Sequence, residues 1–336
     1  MDNYIDEAKT KLANLEEGSK RRAPKKAWDE IATDPDVLRA HAAVVAILDR
    51  DDEPAHYGPT TQLLNRISLA VYLQLRRLHG RHPALIFSSG PRTRPGGDFL
   101  GTLFEPDYTA YLGNFKDLKR AVDDLDHRCD MPWPELVIIG EQKAPKNPDD
   151  GMAQLKSYIA TLLRYRPDLL VALGFKVHAG KLVLAQLNAC GMWISGRTDC
   201  DSLEPWIAFI AEAYFSMEKR NAALCYNAQQ PDFVRWDILD RSSPRQDHAS
   251  PRQGQRLSVS PFYVARAPGR ITFATFQVSA GATSVEEASE AFFAHEAKGF
   301  WKLSWQQKSA RSKEKNLLQS LHSKGWLPGL VRLHDD

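Results

Sequence analysis

Cysteine is scarce and unpaired in pattern: Cys129, Cys190, Cys200 and Cys225 are the whole complement, and no two form a CxxC. A zinc site or a disulfide framework is therefore not expected, and a reducing compartment is the better assignment. The ten histidines include no HxxxH or HxH spacing, and neither GxSxG nor GxxxxGK[ST] occurs. Zinc-protease, serine-hydrolase and P-loop chemistries lose their signatures with them. No apolar run approaches the roughly 18 residues of a membrane span. The stretch Met1 to Glu17 is charged and lacks a signal peptide's apolar core. A soluble intracellular protein, cytoplasmic or nuclear and without a membrane partner, is the expectation.

Charge of one sign is missing too. Forty-four Lys and Arg against 42 Asp and Glu leave a net charge of +2, so only local clusters could argue for nucleic acid. What remains is a 336-residue chain, 43% hydrophobic and 26% charged, enough for two folded domains. Its divisions are expected at 1–26, a charged N-terminal segment; 27–241, a first domain; 242–258, a linker; and 259–336, a second segment. The linker rests on composition, since Ser, Pro, Arg, Gln and Gly dominate there and large apolar residues nearly vanish.

Along the chain, Ile5, Ala8, Leu12 and Leu15 share one side of a short helix, expected to be solvated or loosely docked. The cluster from Lys20 to Lys26 reads first as a solvated linker, with a nuclear import signal or a phosphate contact as the functional alternatives. A helical pattern over 27–48 is interrupted at Asp34-Pro35-Asp36. Thr60 to Leu78 carries a wide apolar stripe and a threonine cap, which predicts a core helix. Pro91 to Gly97 predicts an exposed loop, with Arg92 and Arg94 available to phosphates. A strand is expected within 103–113, a polar helix or loop over 114–127, and a helix over 152–165. Two strands, 169–177 and 181–187, are joined by His178-Ala179-Gly180, and a helix follows over 203–219. Trp133, Trp193 and Trp206 are expected in the core. The order predicts a mixed α/β layer structure.

The chemistry concentrates in Leu136-Val137-Ile138-Ile139-Gly140-Glu141-Gln142-Lys143. The aliphatic run predicts a buried strand, and its period of two brings Glu141 and Lys143 out on one side, about 6–7 Å apart. Pro106-Asp107 supplies a second acid at the start of another strand. Two carboxylates on adjacent strands can hold Mg²⁺ and leave positions for water and a phosphate oxygen. A lysine beside them can orient the attacking water and stabilise charge growing on phosphorus. Asp107 and Glu141 are the candidate metal ligands, the backbone carbonyl of Gln142 a further one, and Lys143 the electrostatic partner.

At these residues the chain resembles the PD-(D/E)XK nuclease superfamily: Pro106-Asp107 is similar to the first half-motif and Glu141-Gln142-Lys143 to the second. Gln154 and Tyr158, one helical turn apart, are similar to the Gln-xxx-Tyr helix of one branch, whose face points at the active site and the nucleic acid. The resemblance implies a restriction-endonuclease-like α+β or α/β fold, a mixed sheet flanked by helices, cutting DNA or RNA with Mg²⁺ and with Gln154 assisting. Many members carry a further glutamate on the first helix. Thr60–Leu78 has none, so Gln62 or Asn65 is expected to stand in.

A second resemblance lies downstream. Gly269 in Pro268-Gly269-Arg270-Ile271-Thr272, Lys302 in Phe300-Trp301-Lys302-Leu303-Ser304-Trp305, and Glu314 are similar to the first lobe of the fungal-type protein kinase domain family, where a PD-(D/E)XK-like region precedes the kinase. It implies a partial kinase N-lobe-like segment, with Gly269, Lys302 and Glu314 as the nucleotide-side residues. The sequence stops before a His-Arg-Asp or Asp-Phe-Gly motif, so ATP-dependent phosphoryl transfer is not expected of this chain alone. Beside the nuclease stand two other readings: a non-catalytic module binding a protein partner, and a piece of a longer Ser/Thr kinase.

Overall fold

The computed structural model describes residues 1–17, 26–79, 83–90, 95, 104–124, 127–129, 131–147, 149–166, 168–188 and 191–218, with the backbone of five strands between 224 and 306. The basic residues 20–25, Arg92 and Arg94, residues 239–255, Gly269 and Glu314 lie outside the described residues. So do residues 285–295 and 309–323.

Helices and strands alternate in a mixed α+β order. Helices α1 (Asp2–Glu17), α2 (Lys26–Ala32), α3 (Pro35–Val45) and α4 (Glu53–His79) lead into β1 (Ala84–Ser89) and β2 (Tyr108–Gly113). Helix α5 (Phe115–Asp123), strand β3 (Leu136–Lys143) and helix α6 (Met152–Tyr165) follow. Strands β4 (Val171–His178), β5 (Lys181–Asn188), β6 (Gly191–Ile194) and β7 (Thr198–Asp199) precede α7 (Glu204–Glu218). The first seven strands form one sheet in the order β1-β2-β3-β4-β5-β6, with β7 beside β5. Only β3 and β4 run parallel, with Glu141 in register with Lys176. A parallel pair needs a crossover, and α6 supplies it.

Side chains explain these boundaries. Asp34 breaks the helical pattern because its carboxylate caps α3, accepting from the amides of Asp36 and Val37, with Pro35 in the first turn. Ala179 and Gly180 take positive φ (48° and 68°) in the two-residue turn between β4 and β5. The outer edge of β1, a strand not anticipated from the sequence, is closed by helix side chains. Asn65 exchanges two hydrogen bonds with the Phe87 backbone (2.8 and 2.9 Å), and Tyr214 Oη accepts from Leu85 N at 3.0 Å.

One face of the sheet is covered by α6, where Gly174 leaves room for Ile159. On the other, the Phe175 ring packs among Tyr108, Trp206 and Phe209. Helix α1 is docked rather than loose: Ile5, Ala8 and Leu12 are buried, Lys11 pairs with Glu212 at 2.5 Å and Lys9 with Glu204 at 2.8 Å. Trp133 and Trp206 are core residues as expected. Trp193 is not: it is 39% exposed and stacks on Tyr4.

A second sheet has five antiparallel strands in the order β12-β11-β10-β9-β8: β8 (Leu224–Asn227), β9 (Arg235–Ile238), β10 (Arg256–Val264), β11 (Arg270–Gln277) and β12 (Gly299–Gln306). Strands β8 and β9, on the N-terminal side of the expected linker, join the strands beyond it. No helix among the described residues is long and apolar enough to cross a membrane.

Candidate active site

The C-terminal end of β3 meets the start of its crossover helix. Glu141 and Lys143 stand on the face that α6 covers, and Gly151, the residue capping that helix, lies against both. A Cβ at Gly151 would come within 2.9 Å of Glu141 Cγ and 3.0 Å of Lys143 Cγ, and its φ of +71° already favours glycine. Lys143 Nζ donates to Glu141 Oε1 at 2.6 Å. Glu141 is 1% exposed, and its Oε2 has no hydrogen-bond partner.

Asp107, at the entry to β2, is close enough to Glu141 for the two carboxyl groups to influence each other's ionisation. Its Oδ2 accepts from the Gln142 amide at 2.8 Å and its Oδ1 from the Tyr57 hydroxyl at 2.9 Å. The N–H and C=O of a strand residue face the same edge, so the Gln142 carbonyl turns toward Asp107 as well. The Gln142 side chain goes to the opposite face, where its Oε1 accepts from Tyr108 Oη at 3.3 Å.

Burial raises Asp107 above the ordinary carboxyl range. The Gln142 amide and Tyr57 oppose the rise, Glu53 adds to it and Lys143 opposes it. Glu141 is pushed up to about 8, first by burial and then by Asp107, against the pull of Lys143. Lys143 answers differently: burial alone would lower it, but Glu141, Asp107 and Glu53 together hold it above its usual value and charged. The pair is asymmetric because Lys143 faces several carboxylates and Glu141 a single ammonium.

Two residues of this site were not anticipated. Helix α4 begins at Glu53 rather than Thr60, which brings a helix glutamate after all. Tyr57 Oη lies 2.8 Å from Glu53 Oε1 and 2.9 Å from Asp107 Oδ1, so one hydroxyl links the two carboxylates. Glu53 Oε2 accepts from Ala144 N at 3.3 Å. Gly58-Pro59 reads as a break, yet the helix runs through it. Tertiary contacts hold the first turns against the missing Pro59 N–H, with His56 Nε2 on Arg50 O and Tyr57 on Asp107. The spacing Glu53-xxx-Tyr57 was the available signal. The expected substitute Asn65 instead serves the edge of β1, and Gln62 is half-buried.

Gln154 lies one turn beyond Gly151 on α6, its Oε1 buried without a partner. Tyr158 donates to Glu105 O at 3.4 Å and meets Phe104 edge-on, beside the segment entering Asp107. In the second sheet, Lys302 on β12 pairs opposite Ala274 of β11, in a sheet other than that of Asp107 and Glu141.

Among the described residues no three His, Cys, Asp or Glu form a ready metal cluster. The donors present are two carboxylates and one carbonyl, all hard oxygens, with a buried carboxylate oxygen unpartnered. Mg²⁺ retains several waters and binds through one or two carboxylates, so the set fits that ion. Comparison with protein-family models, curated proteins and solved structures gave no match to this chain.

Proposed function

We propose that this chain hydrolyses phosphodiester bonds of DNA or RNA with Mg²⁺, in the manner of the PD-(D/E)XK nucleases its motifs resemble. The observation that carries the reading is Glu141: a buried carboxylate with Lys143 on one oxygen, nothing on the other, and Asp107 close by. Mg²⁺, when bound, supplies charge for the scissile phosphate and lowers the pKa of a water. Asp107 and Glu141 would hold it, with the Gln142 carbonyl beside them. Lys143 is placed to orient the attacking water and to balance charge on the phosphate oxygens. Tyr57 and Glu53 fix the Asp107 carboxylate from behind, and Gln154 presents an amide to the substrate side.

The test is nicking of supercoiled plasmid, and cleavage of a labelled RNA, by the full chain with Mg²⁺ and with EDTA. Metal-dependent cutting abolished by Lys143→Ala is the expected result. Cutting that persists in EDTA, or equally in Lys143→Ala, sinks the reading.

The alternative reading is a non-catalytic module. It predicts no stoichiometric Mn²⁺ site in calorimetric titration and no effect of Asp107→Ala. The five-stranded sheet, with Lys302 on β12 and Gly269 just ahead of β11, supports assigning the second segment to a partial kinase N-lobe, with a protein partner rather than ATP as its ligand. A coding frame continuing into His-Arg-Asp and Asp-Phe-Gly motifs would make it part of a Ser/Thr kinase instead.

A further inference from the structure

Lys176 is a buried cation one strand from the acidic pair. It sits on β4 in register with Glu141, about 4.8 Å away across the sheet, and adjacent strands at one register share a face. It is 2% exposed, yet its Nζ reaches the carboxylate of Asp150, whose side chain is 35% exposed. Asp150 Oδ2 lies 2.8 Å from Lys176 Nζ and 3.6 Å from Arg197 Nη2, while Oδ1 accepts from Met152 N at 3.0 Å. A surface carboxylate is thus held by an ammonium, a guanidinium and a backbone amide. It directly precedes Gly151, the residue that lies on Glu141 and Lys143.

Fully buried lysines are rare unless the charge is paired. Here the anion paired with Lys176 among the described residues is Asp150, at the solvent side of the pair. We propose that Lys176 and Arg197 form a backbone-phosphate subsite of the nucleic acid, and that Asp150 occupies it as an internal stand-in until a strand displaces it. This deepens the nuclease reading and rests on it: the subsite would hold a phosphate neighbouring the scissile one. Displacement moves the Asp150 side chain outward while its neighbours stay held, with His178 Nε2 on Asn147 O at 3.1 Å and Asp149 Oδ1 accepting from Gly151 N at 2.9 Å.

The experiment measures binding apart from cutting, by fluorescence anisotropy of a labelled 16-base-pair DNA duplex and the matching RNA strand with the full chain in EDTA. Asp150→Asn keeps the acceptor for Met152 N and removes the competing charge. It is expected to tighten binding roughly five- to tenfold and to steepen the salt dependence by about one in log–log slope. Asp150→Asn with Arg197→Ala, a change at a 68% exposed side chain, is expected to lose most of that gain with melting unchanged. Asp150→Asn binding no tighter than the parent overturns the subsite, and so, should Asp150→Asn melt lower, does Arg197→Ala alone binding as tightly as the parent. So does a gain seen for inorganic phosphate competing at the site but for neither nucleic acid. A chain that nicks plasmid normally while Asp150→Asn changes nothing loses the subsite and keeps the nuclease reading. No binding by any variant, with no cutting, removes both.

Discussion

Lys143 Nζ stands 2.6 Å from Glu141 Oε1, while Oε2 of that carboxylate is buried with no partner. An unsatisfied buried acceptor costs about 1–3 kcal/mol. The neighbouring Asp107 adds to the strain on Glu141, because two carboxyl groups share one ammonium. Such a group calls for a partner, which an ordered water, an ion or a substrate can supply. The half-satisfied state of Glu141 is the feature from which each expectation at the first sheet follows.

The first concerns pH. Glu141 has its folded value pushed up to about 8 from an ordinary value near 4.5, so the folded state binds this proton more tightly than the unfolded chain. Its contribution to stability is full below about pH 4.5 and is lost as pH rises toward 8. In metal-free buffer the melting temperature should therefore fall across that window, and Glu141→Gln should flatten the fall. For a folded unit of 150–250 residues about 1 kcal/mol corresponds to roughly 2–4 °C. A melting temperature that climbs with pH in the parent and in Glu141→Gln alike would contradict the assignment.

The second concerns Tyr57. Its hydroxyl joins Glu53 to Asp107, so Tyr57→Phe leaves a buried carboxylate oxygen without its donor. Outer partners of metal-holding carboxylates typically carry 10- to 100-fold in metal affinity or activity. Calorimetric titration with Mn²⁺ should show a weakening in that range for Tyr57→Phe, and cutting should fall with it. An unchanged Mn²⁺ isotherm would leave Tyr57 a packing residue only.

How much of this could be read beforehand follows from where the signals sit. Local pattern carried β3, α6, the β4–β5 turn and the interruption at Asp34, because periodicity and turn chemistry act over a few residues. It also brought Asp107, Glu141 and Lys143 forward, since an aliphatic strand ending in charge is unusual. The start of α4 was hidden because Gly58-Pro59 is a local break that tertiary contacts override. Strand β1 was hidden because its edge partners, Asn65, Ser68 and Tyr214, are remote in sequence. Lys176 was passed over for the same reason, as its register with Glu141 exists only once β3 and β4 pair across the helix.

The third concerns Gly151. Its φ of +71° costs an L-residue about 1–2 kcal/mol, and a Cβ there meets the stems of Glu141 and Lys143. Gly151→Ala should therefore melt lower and cut more weakly, since the pair it presses on must shift. Asn, which tolerates left-handed backbone better, should recover part of the stability but not the cutting. Equal activity in both variants would separate Gly151 from the site.

The fourth separates function from folding at Gln154. Its Oε1 makes no hydrogen bond and its amide lies one turn beyond Gly151, so removal of the amide leaves no protein partner of that oxygen stranded. Gln154→Met preserves length and helix propensity and supplies an apolar side chain where an acceptor is buried unpaired. Its melting temperature should equal or exceed that of the parent. If the amide serves the substrate, plasmid nicking should nevertheless fall by about tenfold or more, in kcat or KM, as for a lost positioning contact. A variant that is stabilised and cuts at the parental rate would make Gln154 a packing residue of α6, whatever its resemblance to the Gln-xxx-Tyr helix. A stabilised variant that cuts poorly would show an acceptor kept at a cost in stability for the substrate it meets.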